Sequence, residues 1–176
     1  MPATPEDLFE YLDRLGIATS TVAHPPLFTV EESRSLRGEI PGAHTKNLFL
    51  EDRKDRLFLV AAEEHARIDL KHLHRRIGAS GRLSFGKPEV LRATLGVEPG
   101  AVTPFAAIND RDGRVTIVLD RPLFARDGLN FHPLVNTRTT RITATDLVRF
   151  LGAAGHPPLV LDVSGPQIEG AQSPAG

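Results

Sequence analysis

Apolar positions recur along the chain with two different periods, and the period marks the elements. Lys46–Glu51 and Leu57–Ala62 are two dense apolar runs joined by the charged turn 52–56, the pattern of a β-hairpin with buried strands. A spacing of three to four instead links Leu8, Leu12 and Leu15. That spacing predicts a helix, opened by Thr4-Pro5-Glu6-Asp7 as cap, first-turn proline and capping-box acid, and closed by Gly16. Ser20–His24 reads as a short strand stopped by Pro25-Pro26. Thr29-Val30-Glu31-Glu32 is a second capping box, starting a short helix to about Leu36.

Further along, Asp69–Ile77 predicts a helix with Leu70, Leu73 and Ile77 on one face and Gly78 as its stop. Arg82–Phe85 predicts a short strand, and Pro88–Leu95 a helix followed by Gly96. Phe105–Ile108 and Val115–Leu119 predict a second hairpin around residues 109–113. Asn130–Val135, Arg138–Ile142 and Leu159–Val163 read as extended, and Thr143 caps a last helix that ends at Gly152. Strands mixed with helices, including two hairpins, imply a single α/β domain of the α+β kind over residues 1–163, with a mixed sheet surrounded by helices. Residues 164–176 are rich in Gly, Pro, Ser and Gln and are expected to be a disordered tail.

Composition narrows the function classes. The chain has 176 residues, enough for one domain with a real core. It has no cysteine, which excludes disulfides, thiolate metal sites and a cysteine nucleophile. No apolar run approaches the roughly eighteen residues of a membrane span. Acids at Glu6 and Asp7 stand where a signal peptide would be basic, so a soluble cytoplasmic protein is expected, with no membrane partner. Net charge is −1, but the charge is unevenly placed. Residues 66–96 carry only Asp69 and Glu89 against Arg67, Lys71, Arg75, Arg76, Arg82, Lys87 and Arg92. Such an excess is a candidate phosphate footprint, or simply a solvated helix face.

No Gly-x-Ser-x-Gly elbow, phosphate-binding P-loop or dinucleotide fingerprint is present. Three constellations remain. His65, Asp69 and His72 would share a face of one continuous helix and could hold a divalent metal, but arginines surround them and a surface histidine cluster is the better reading. In Phe131-His132-Pro133-Leu134-Val135-Asn136, an alternating strand would put His132, Leu134 and Asn136 on one side, either as a satisfied core histidine or as a polar pair facing a pocket. Gly100–Pro104, with Lys46-Asn47 in the first strand of the hairpin, is either an ordinary turn or a loop that aims N–H groups at a carbonyl.

Their order adds what none gives alone. Lys46-Asn47-Leu48-Phe49-Leu50 is followed about fifty residues later by a Gly-x-x-x-Pro loop, and roughly thirty further on by Asn130–Asn136. With Thr29–Glu32 and Arg82-Leu83-Ser84-Phe85-Gly86, this set resembles the YbaK and prolyl-tRNA-synthetase-associated deacylase superfamily. The likeness is strongest to its free-standing ProX-type members, which are similar in turn to the editing domain inserted in bacterial prolyl-tRNA synthetases. It spans about Thr4 to Val163.

The resemblance implies a YbaK-like curved mixed sheet and hydrolysis of the ester joining a wrong small amino acid to a tRNA 3′ end, alanyl-tRNA for proline above all. It implies Lys46, Asn47, Gly100 and His132 as catalytic positions, with Gly100–Pro104 holding the aminoacyl carbonyl. Thr29, Val30, Phe49, Thr103, Pro104, Val135 and Asn136 would meet the substrate. Arg76, Arg82 and Lys87 would meet the acceptor stem, giving salt-dependent contacts with little sequence information. An activated ester needs positioning and oxyanion stabilisation more than a protein nucleophile, so no metal or cofactor is expected. A lysine suits a phosphate as a compact cation better than it suits general-base work. Other mischarged tRNAs (cysteinyl or seryl), a non-catalytic module binding tRNA or prolyl-tRNA synthetase, and a metal hydrolase stay open. Oligomeric state is not legible.

Overall fold

The computed structural model describes residues 1–26 and 40–165. The helix expected from Thr29, with Thr29 and Val30 themselves, and the tail beyond Gly165 lie outside the described residues. The described elements are α1 (Pro5–Arg14), β1 (Ser20–Ala23), β2 (Ala43–Glu51), β3 (Leu57–Glu63), α2 (Leu73–Ile77), β4 (Ser84–Phe85), α3 (Pro88–Leu95), β5 (Val115–Asp120), β6 (Leu129–Phe131), β7 (Arg138–Ile142), α4 (Ala144–Ala153) and β8 (Leu159–Leu161). They form an open mixed sheet of eight strands in the order β1-β7-β6-β2-β3-β5-β8, with β4 also on β2. The ladders β2–β6, β3–β5 and β5–β8 are parallel and the others antiparallel.

The sheet separates two cores, as alternation along a strand requires. From β3, Leu57, Leu59 and Ala61 enter the larger core with Phe49, Phe105, Phe131, Phe150 and the apolar stripes of α1, α3 and α4. Phe58 and Val60 enter the smaller one, with Leu50, Leu73 and Ile77. Being covered on both faces is why 57–62 reads as an unbroken apolar run. The first hairpin forms as its pattern predicts, Lys46 facing Ala62 and Glu51 facing Leu57. Its turn is organised by Asp52, which accepts from the N–H groups of Lys54, Arg56 and Ser80 and from Arg56 Nε. Burial raises the Asp52 carboxyl's pKa, but these donors outweigh it and hold the group down to about 2. The Thr4 capping box closes both ways, Thr4 N–H to Asp7 Oδ2 and Asp7 N–H to Thr4 Oγ1.

Three expectations are corrected. The second hairpin does not exist, because Pro104–Asn109 is a 3-10 helix. Thr103 Oγ1 accepts from Phe105 N–H and Pro104 fixes the first turn, while a short buried apolar run looks alike in a helix or a strand. β5 pairs instead with β3 and β8 in parallel. The helix expected from Asp69 begins only at Leu73, since Asp69 bonds Lys71 N–H and the His72 ring, a local turn that competes with the helix. The strand expected to reach Val135 ends at Phe131; Pro133 cannot donate to a ladder, and Leu134 adopts a left-handed φ of 72°.

Candidate active site

β2 and β6 run parallel and pair only at Ala43–Leu129 and His44–Asn130. Thr45 Oγ1 donates to Asn130 O, and beyond that bond the two strands part. Lys46 and His132 each lie two residues past the last pair, so they flank the opening between the C-terminal continuations of neighbouring parallel strands. In open mixed sheets this is where ligands are commonly received.

Lys46 is half-buried, and its Nζ donates to Ala66 O at 2.6 Å. It shares a face of β2 with Leu48 and Leu50, which pack on the smaller core, whereas Phe49 points into the larger one. By alternation Asn47 lies on the side of Phe49, and its Oδ1 is buried without a hydrogen-bond partner among the described residues.

His132 leaves the end of β6 and turns its Nδ1 onto Arg138 O at 3.1 Å. A carbonyl only accepts, so Nδ1 carries the proton and a neutral ring presents Nε2 as an acceptor. Burial disfavours the imidazolium and pulls the pKa below its ordinary value; the Arg138 carbonyl opposes this, and the neighbouring His24 adds to it. The two imidazoles stand 6.5 Å apart between centroids. His24, which the sequence shows only as a strand's end before two prolines, is fully engaged, Nδ1 with Pro25 O and Nε2 with Thr139 Oγ1. The sign follows directly. If a neutral His132 is needed, activity should fall on the acid side, at a pH below the ordinary histidine value of 6.5. His24→Gln should move that limb upward; a pH profile of kcat/KM with ring-proton titration by NMR checks both.

The loop Gly100–Pro104 meets the His132 segment. A Cβ on Gly100 would stand 3.3 Å from Asn136 Nδ2, so the glycine lets the loop approach that amide. Phe105 packs edge-on against Phe131 with centroids 6.0 Å apart, fixing the loop to β6. Ala101 N–H bonds Glu98 O, whereas those of Val102 and Thr103 have no partner among the described residues. Thr103 and Pro104 are buried, and Phe49 belongs to the core with its ring against Gly86. Val135 and Asn136 are half-buried.

Among the cations, Arg76 is tied by Nη1 to the carbonyls of Asp162 and Ser164. Arg82 and Lys87 are exposed and have no ion pair among the described residues. No cluster of three metal-ligating side chains occurs among the described residues: His65 is exposed on a loop and His72 is bonded to Asp69. Two cavities lie elsewhere. One, of about 900 Å³, sits between α1 and α3. The other, of about 640 Å³, lies beside Ala66, Asp120 and Arg126, and neither is lined by Lys46, Gly100 or His132.

Comparison with known proteins bears on the chain as a whole. Residues 24–150 match the aminoacyl-tRNA editing domain, a span holding Lys46, Gly100, His132 and Asn136. The chain is 40% identical over 158 residues to prolyl-tRNA synthetase associated domain-containing protein 1 of Danio rerio, covering 89% of this chain and 85% of that one. It is 36% identical over 146 residues to the prolyl-tRNA editing protein ProX of Acetoanaerobium sticklandii, covering 82% and 88%. In fold it matches a protein crystallised as a candidate trans-editing enzyme for prolyl tRNA synthetase, with a TM-score of 0.70 at 21% identity over 94% of this chain and all of the other. This chain therefore belongs to the aminoacyl-tRNA editing domain family.

Proposed function

We propose that the protein hydrolyses the ester of a mischarged tRNA, with alanyl-tRNA for proline as substrate, acting in trans beside prolyl-tRNA synthetase in the cytoplasm. The observation that carries this reading is the approach of Gly100 to Asn136 next to His132, at the end of a strand neighbouring the one that bears Lys46. It assembles an acceptor nitrogen, an amide and unspent backbone N–H groups on one structural unit, with a cation on the adjacent strand. The family and the names of its relatives support the substrate class.

The chemistry asks for little. Water adds to the ester carbonyl carbon, and the bond to the terminal ribose oxygen breaks with that oxygen taking a proton. The tRNA and the free amino acid leave. The N–H groups of Val102 and Thr103 serve the developing oxyanion, where aligned donors act most strongly. Lys46 keeps one N–H on Ala66 O and offers the others to the phosphate of the terminal adenosine. His132 Nε2 accepts from the attacking water or from the vicinal ribose hydroxyl, which orients that water. Selection against proline is steric: a pocket fitted to a methyl group rejects the larger ring by overlap, with Val135 as one wall.

The test is deacylation of alanyl-tRNA for proline against prolyl-tRNA, with cysteinyl- and seryl-tRNA alongside and a chelator control. Alanine release with prolyl-tRNA spared is expected. Cleavage of another ester alone would reassign the substrate, and tRNA binding without any turnover would make the protein a binding module.

A further inference from the structure

Phe85 is 61% exposed, an unusual position for a phenylalanine on a strand. It ends the two-residue strand β4, and its neighbours Arg82 and Lys87 are exposed cations without an ion pair among the described residues. Its position is fixed rather than loose. Gly86 N–H bonds Phe49 O at 2.9 Å, and a Cβ on Gly86 would overlap the Phe49 ring. Phe85 is the register partner of Leu50, so the two side chains leave the sheet on the same face. Leu48 and Lys46 follow on that face, and four residues of strand separate Leu50 from Lys46 by about 13 Å. The face between them is capped by Ile68, Leu73 and Ile77. The outward surface of that cap carries Arg67, Lys71 and Arg75, all exposed and without ion pairs among the described residues. A bare aromatic ring stands at one end of a basic track, and the lysine proposed to hold the terminal phosphate stands at the other.

We infer that Phe85 is a stacking platform for an unpaired nucleotide near the tRNA 3′ end, with Arg82 and Lys87 holding the flanking phosphates; this rests on the reading of the protein as a tRNA deacylase. An exposed ring between cations is the means by which single strands are bound without base selection, since every base offers a π-face and every phosphate a charge. A protein partner would find here a lone apolar ring rather than an apolar patch, which favours the nucleotide.

The chain has no tryptophan, so Phe85→Trp places a single reporter at the platform. Uncharged proline tRNA should quench its emission, and the same tRNA trimmed of its unpaired 3′ nucleotides should not. Phe85→Ala should raise KM for mischarged tRNA by about tenfold with kcat little changed, and Phe85→Tyr should restore it. Circular dichroism controls for folding. Equal quenching by the trimmed tRNA, or unchanged KM in Phe85→Ala alongside unquenched Trp emission, overturns the inference while leaving deacylation untouched. Quenching specific to the intact 3′ end in a protein that cleaves no mischarged tRNA would overturn the deacylase reading and keep the platform.

Discussion

Lys46→Ala is expected to lower kcat/KM for mischarged tRNA by about 100-fold or more while leaving the fold intact, because misplacing an anchored substrate by even a small distance costs that much. The structural loss is modest. Lys46 contributes one hydrogen bond at a half-buried site, worth about 1–3 kcal/mol. Lys46→Arg should not restore full activity, since a bulkier planar guanidinium with fixed donor directions would not reproduce the bond to Ala66 O and the phosphate geometry together. Single-turnover deacylation beside a tRNA-binding titration measures both terms. Undiminished cleavage by Lys46→Ala would remove this lysine from the mechanism.

The largest effect on stability is expected at a site remote from the chemistry. Asp110 and His156 are 3% and 6% exposed, and their side chains bond at 2.9 Å between Oδ2 and Nε2. The other ring nitrogen faces Ala154 O at 3.0 Å. Both ring nitrogens thus address oxygens, so the ring is held from both sides. Asp110 also accepts from Arg114 and Val115 N–H, so one side chain fixes the start of β5 and the segment leaving α4. Asp110→Ala strands all three donors and should cost about 3–5 kcal/mol in urea unfolding. His156→Ala should cost substantially as well, and the double variant far less than the two together, because each single change orphans the other's partner. Strictly additive losses would show that the two residues do not act as a pair.

The sequence reveals elements best where local chemistry and packing agree. Thr4, Pro88 and Thr143 announce their helices because cap and stripe coincide, and the first hairpin is legible because its turn is charged and its strands are not. The run at 104–109 is misread because a few buried apolar residues have no period of their own; Thr103 and Pro104 decide it. Parallel partners such as β3 and β5 leave no local trace, since nothing near Leu57 points to Val115. At the site, residue types are visible in the sequence but directions are not. Which face of β2 carries Lys46 and which carries Asn47 follows only from which core receives Leu48 and Phe49. His24 has no signal beyond its neighbouring prolines, because its place beside His132 is made by the β1–β7 ladder.

The ladder between β2 and β6 also bears on how the chain is made. Thr45 and the carbonyl it bonds are separated by 85 positions, so a ribosome releases β2 long before its parallel neighbour exists. Until residues 129–131 emerge, the start of β2 at 43–44, on the margin whose far end meets β4, is left with unpaired amides, the kind of surface that invites intermolecular pairing. Closing such a long loop is slow, and the opening beside Lys46 can take shape only when it closes. The strand that carries the lysine is thus made early, and its binding edge is finished late.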